Sequence, residues 1–219
     1  MNVYLVTEGP VGEKQIYSCW APLANPSLRV IRSIDEITQD CIFIVSGGGY
    51  PGYFEVIENA AKDVAAIPAF DRLIVAIDSE EQTYAEKFAE IDGFIGGLGL
   101  GVNYRIVVQH FCLETWALGN RAIVSRKPKN QKVREYLSLF DVLRLDPELL
   151  PGKRDEGLNR AQFAEKYLRR LLNEKFRNLT YTKSNPGALL HKKYYEQVHS
   201  RLVDTGHIGS FDGFVNAFN

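Results

Sequence analysis

The chain reads as an α/β protein: a parallel sheet flanked by helices, followed by a helical extension. Three observations lead there. Residues 3–7, 41–45, 72–77 and 103–109 are short, apolar and rich in β-branched side chains, as strands buried on both faces are. Segments with helical spacing alternate with them, which implies parallel strands and a three-layer arrangement. Beyond about residue 120 the strand pattern stops and helical spacing continues alone.

Taken in order, Val3-Tyr4-Leu5-Val6-Thr7 is the first strand, and Val11 to Trp20 reads as a helix. Cys41-Ile42-Phe43-Ile44-Val45 is the next strand and runs into Ser46-Gly47-Gly48-Gly49-Tyr50-Pro51-Gly52. Phe54, Ile57, Ala61 and Val64 then fall on one face of a helix over 53–66. Arg72 to Ile77 is a strand, and Tyr84, Phe88 and Ile91 mark a helix over about 81–91. Gly96-Gly97-Leu98-Gly99-Leu100-Gly101 should end that helix in a loop, because each glycine costs about 1 kcal/mol against alanine in a helix interior. Asn103 to Gln109 is the last strand. Ser125 to Lys132 reads as a basic loop leading into a helix, Phe163, Tyr167 and Leu171 mark another helix, and Tyr195, Val198 and Leu202 a further one. The division expected is an α/β core over 1–120 and a basic helical extension over 121–219.

The composition is that of a globular protein, with no apolar run near the ~20 residues that span a bilayer. The amino terminus starts directly with a strand and shows no secretory pattern. Cys19, Cys41 and Cys112 fit neither a zinc site nor a disulfide framework, so a reducing cytoplasm is expected. The net charge of −1 hides an asymmetry. Residues 1–125 hold 8 Lys/Arg against 16 Asp/Glu, and residues 126–219 hold 18 against 11. An acidic half suited to a metal thus adjoins a basic half suited to a polyanion.

The acidic residues are not scattered. Glu8 follows the first strand directly, Asp78 and Glu80 follow the third, and Glu114 comes shortly after the last. Carboxyl ends of parallel strands are where α/β sheets place their sites. Carboxylates gathered there repel one another unless a divalent cation lies between them. Each also has a plainer use: Glu8 or Asp78 as a helix cap, and Glu114 in a pair with Arg121.

Thr7-Glu8-Gly9, Asp78-Ser79-Glu80 and Phe111-Cys112-Leu113-Glu114-Thr115-Trp116-Ala117 together resemble the Toprim domain, over roughly residues 1–120. The likeness is to the small stand-alone Toprim-like proteins related to nucleases of bacterial defence and mobile elements. It implies Mg²⁺- or Mn²⁺-dependent phosphodiester chemistry on DNA or RNA. Glu8, Asp78 and Glu80 are then the catalytic residues and metal ligands, and Glu114 is a further ligand or an orienting group. Glu80 stands where the family carries a second aspartate, and its extra methylene changes its reach. Lys183, Lys192 or Lys193 would match a family lysine. Lys127, Lys129, Lys132 and Arg134 are the expected nucleic-acid contacts. A catalytically weak subunit that binds nucleic acid, a protein partner or a second copy is the alternative.

One other motif competes. Gly47 to Gly52 satisfies G-x-G-x-x-G between a strand and a helix, the context of a dinucleotide fingerprint. It follows the wrong strand, and Pro51 removes an amide. No Gly-Lys-Ser/Thr loop, His-Glu-x-x-His or Gly-x-Ser-x-Gly is present. Trp116 is expected in the core. His110 is expected to be a satisfied surface or core histidine.

Overall fold

Five strands form one all-parallel sheet in the order β2-β3-β1-β4-β5: β1 (Val3–Thr7), β2 (Arg29–Ile31), β3 (Cys41–Ser46), β4 (Arg72–Asp78) and β5 (Tyr104–Gln109). The computed structural model describes residues 1–9, 11–176 and 181–219. Its helices are α1 (Gly12–Ala24), α2 (Tyr53–Ala66), α3 (Tyr84–Gly97), α4 (Leu113–Ala117), α5 (Gln131–Leu139), α6 (Arg160–Lys175), α7 (Lys192–Thr205) and α8 (Ser210–Ala217). After β1 the chain moves to one side of the sheet, and after β3 it crosses to the other side. The switch point lies between β1 and β4, where open α/β sheets form a crevice at the carboxyl edge.

Alternation along each strand sorts the core into two layers. Val3, Leu5, Ile42, Ile44, Ile74, Ala76 and Val107 face α1 and the helical tail. Tyr4, Val6, Leu73, Val75, Ile77, Ile106 and Val108 face α2 and α3. On the first face an aromatic cluster binds tail to sheet: Trp116 lies 5.2 Å from Phe211, and Trp20 lies 5.9 Å from the same ring. Trp116 is fully buried and donates from its indole N–H to Ser210 Oγ at 2.7 Å, so it is a core residue as expected. Removing one such ring costs about 3–5 kcal/mol. The described residues of the tail therefore share one covering layer of the sheet with α1.

The expected elements are present; α8 in the tail was not expected, and two differences fall in the core. The edge strand β2 has only three residues, exposed at its start, and so offers no apolar run to read. The helix expected at 81–91 starts at Tyr84, where Thr83 and Glu86 form a capping box, and runs on to Gly97. Ile91 and Ile95 anchor its last turns in the core, which outweighs the cost of Gly93, Gly96 and Gly97. The loop begins only at Leu98, with Gly99 and Gly101 at positive φ, and it lies at the amino-terminal edge of β5. Among the described residues, no helix is long and apolar enough to cross a membrane.

Candidate active site

Glu8 is the first residue after β1, and its carboxylate turns across the switch point to accept the Asp78 backbone N–H at 2.9 Å. This ties the ends of the two central strands together. Asp78, the last residue of β4, points into the same space. Neither residue caps a helix by its side chain: α3 is capped by Thr83, and α1 has Val11 at its N-cap, with no side-chain cap.

These two carboxylates and four more charged groups line one cavity of about 190 Å³. Glu13 enters from the first turn of α1, where it accepts the Gly9 N–H at 3.0 Å. Glu80 stands at the exposed rim with φ +51°, a left-handed conformation unusual for a residue with a side chain. Glu114 rises from α4, buried, and accepts the Tyr181 hydroxyl at 2.6 Å; Arg121 is not its partner. Lys183 supplies the one ammonium among the lining residues. Its main chain passes so close to α1 that a Cβ on Gly12 would stand 1.9 Å from the Lys183 carbonyl oxygen.

The electrostatics follow from five carboxylates facing one cation. Burial first, then the charges of Glu13 and Glu8, push the Asp78 carboxyl well above its usual range. Burial, with Glu8 and Glu114 adding to it, lifts Glu13 to about 7 against the pull of the Gly9 amide. Burial also raises Glu8 and Glu80, while the Asp78 amide and Lys183, respectively, offset part of the rise. Burial alone would lower the Lys183 ammonium, yet Glu114, Asp78 and their neighbours outweigh it and hold the lysine above its ordinary value. Carboxyl groups outnumber ammonium groups five to one in the lining, and Lys87 outside it adds a weaker cationic influence on Glu8 and Glu80.

The donors are hard oxygens, the ligands Mg²⁺ and Mn²⁺ take. Asp78 Oδ1 is buried and has no hydrogen-bond partner among the described residues. The residue set therefore fits such an ion. Among the described residues, though, no three or more His, Cys, Asp and Glu side chains already stand as a ligand group. Glu8, Asp78, Glu80 and Glu114 share the cavity without being drawn around one point.

The remaining expectations fall as follows. Lys127, Lys129, Lys132 and Arg134 are all exposed, and none lines the cavity. Lys132 pairs with Glu135 at 2.8 Å and Glu156 at 3.5 Å, and the Arg134 guanidinium donates to the Pro128 and Lys129 carbonyls. Lys192 and Lys193 open α7 outside the cavity, so Lys183 is the lysine that reaches it. His110 Nδ1 lies 2.8 Å from Ser79 Oγ, bracing the Asp78–Glu80 turn from behind. In the glycine loop, the Gly47 and Gly49 amides donate to the Thr7 and Glu8 carbonyls, and Gly48 N–H to Ser46 Oγ. Those amides buttress the Glu8 turn and are not turned toward a pyrophosphate, so the dinucleotide reading loses its donors.

Sequence reading overlooked Glu13 and Tyr181. Glu13 is five residues after Glu8 on the helix that follows, a signal open to reading, but acids in a first helical turn are common for dipole reasons alone. Tyr181 carried no local signal. No family model matches the chain, and no curated protein or solved structure does either.

Proposed function

We propose that the protein is a Toprim-like, Mg²⁺- or Mn²⁺-dependent phosphodiester hydrolase acting on DNA or RNA in the cytoplasm. The observation that carries this reading is the cavity at the β1–β4 switch point, lined by five carboxylates and one lysine. Glu8, Asp78, Glu80 and Glu114 would hold the ion, with Glu13 beside them. When bound, the ion supplies charge neutralisation for a phosphate and a lowered pKa for an attacking water. Glu8 fixes the end of β4 through the Asp78 amide, so both carboxylates are preset. Tyr181 holds one oxygen of Glu114 and leaves the other toward the cavity. Lys183, kept charged by its neighbours, is placed to meet a phosphate oxygen. Exposed basic residues of the second half, Lys127 and Lys129 among them, add salt-dependent attraction for the rest of the polyanion.

The test is cleavage of single- and double-stranded DNA and RNA with and without Mn²⁺. Glu8→Gln and Asp78→Asn should abolish metal-dependent cleavage while the protein stays folded. One observation favours a second reading, a catalytically weak subunit that binds nucleic acid or a partner: Lys183 already gives the carboxylates part of their countercharge. Binding of nucleic acid with no cleavage at any metal concentration would select that reading.

A further inference from the structure

Beneath the cavity lies a second set of polar groups that the proposed chemistry does not use. Asp78 and Gln109 are register partners on adjacent strands, β4 and β5. Each sits two residues beyond a side chain of the tail-facing core, Ala76 and Val107, so both point to that same face. Tyr17 of α1 packs into that core, its ring 5.3 Å from Phe214, and its hydroxyl lies within the influence of the Glu13 and, less strongly, the Asp78 charge. All three are sealed: Tyr17 and Gln109 are 0% exposed and Asp78 is 4% exposed. The Tyr17 hydroxyl, both amide atoms of Gln109 and Asp78 Oδ1 find no hydrogen-bond partner among the described residues. Buried polar atoms are almost always satisfied, and the Tyr17 hydroxyl, the Gln109 N–H group and Asp78 Oδ1 are donors and an acceptor of complementary type that one shared partner would satisfy.

We infer that Tyr17 and Gln109 are positioning residues that share ordered water with the inner oxygen of Asp78. The Tyr17 O–H and the Gln109 amide N–H donate to this water, and it donates to Asp78 Oδ1. One water with two to four polar partners is the ordinary occupant of such a place. The inner oxygen is thereby held, and the carboxylate presents its outer oxygen to the cavity in one orientation. A wholly apolar floor would let the carboxylate turn. The water itself is independent of the proposed function; the effect on metal binding rests on it.

A high-resolution crystal structure of the full chain tests the first part. Density within about 2.7–3.2 Å of Asp78 Oδ1 and at least one of Tyr17 and Gln109 is expected. A direct protein hydrogen bond to Asp78 Oδ1, or a dry floor, overturns the inference, and so does a peak with the short distances and strong scattering of a metal ion. In Gln109→Met, which keeps the volume, the Asp78 carboxylate should leave its parent rotamer; an unmoved carboxylate denies the positioning role. Calorimetric titration with Mn²⁺ gives the functional readout. Gln109→Met and the milder Tyr17→Phe should each weaken binding ~10- to 100-fold with an unchanged melting temperature. Unchanged Mn²⁺ affinity in folded variants overturns the positioning claim. If the parent protein binds no Mn²⁺ yet shows the water and the rotamer change, the proposed function falls and this inference stands.

Discussion

Glu13 and Glu148 are both carboxyls lifted to about 7, in each case mainly by burial, and the two have different meanings. Glu148 is embraced: Ser210 donates to it from its backbone N–H at 3.0 Å and from its hydroxyl, which fastens the start of α8. Its next largest influences after burial are those stabilising bonds. Glu13 has one amide and then like charges, Glu8 and Glu114. A raised carboxyl alone does not mark a site. One that is raised among other carboxylates, in a cavity, at a topological switch point, does.

Substitutions should separate the two regions most sharply. Asp78→Asn is expected to cut metal-dependent cleavage by on the order of a hundredfold or more while raising stability, because it relieves repulsion in the cavity. Glu148→Ala should do the reverse, lowering stability by about 1–3 kcal/mol through orphaned Ser210 donors, with cleavage per folded molecule intact. Urea denaturation alongside a nuclease assay reads both. Parallel behaviour of the two variants would break the distinction.

A geometric prediction comes next in size. Gly12→Ala places a methyl against the Lys183 carbonyl, and main chain cannot give way as a side chain can. Stability should fall by about 1–3 kcal/mol, and the Lys183 segment should be displaced from the cavity. The same substitution at Gly93, where an added Cβ meets nothing within 4 Å, should instead stabilise α3 by about 1 kcal/mol.

The pH dependence sharpens the comparison further. Both carboxyls have folded pKa values near 7, above the ordinary 4.5, so the folded state binds more protons than the unfolded state between those values. Stability is therefore greatest below about 4.5 as far as these groups are concerned, and is lost as pH rises through about 7. Glu148→Gln should remove its own share of that fall, about 3 kcal/mol. Mn²⁺ at pH 8 should restore the share due to the cavity and leave that of Glu148 untouched. Thermal denaturation across pH, with and without metal, checks each sign.

The smallest effect is expected far from both regions. Gly99→Ala adds a methyl that meets nothing, at a backbone φ of +65°, so only conformational strain of about 1 kcal/mol arises and cleavage is unchanged. Loss of activity in a folded Gly99→Ala protein would place the loop at the site and contradict the topology.

How much of this was legible in sequence depended on how local the cause was. β1, β3, β4 and β5 announced themselves because strands buried on both faces need unbroken apolar runs. α2 was readable over 53–66 from its apolar stripe. β2 was not, since three residues at an edge need no pattern, and the end of α3 was not, since Ile95 held it by tertiary packing. In the site, Glu8 and Asp78 were visible because strand ends are visible. Tyr181 and Lys183 come from a segment whose place is set by the Gly12 contact and by the core, neither of which is written in its own residues.

That last contact has a consequence for the protein's birth. The carboxylates of residues 8 to 80 leave the ribosome early, while Lys183 follows roughly a hundred residues later, a delay of about 5–20 s at ordinary rates of synthesis. Until then the charged pocket has neither its ammonium nor the chain that closes one wall, and the sheet has only part of its covering layer. A cavity finished by the last quarter of its own chain is assembled only when synthesis is almost complete.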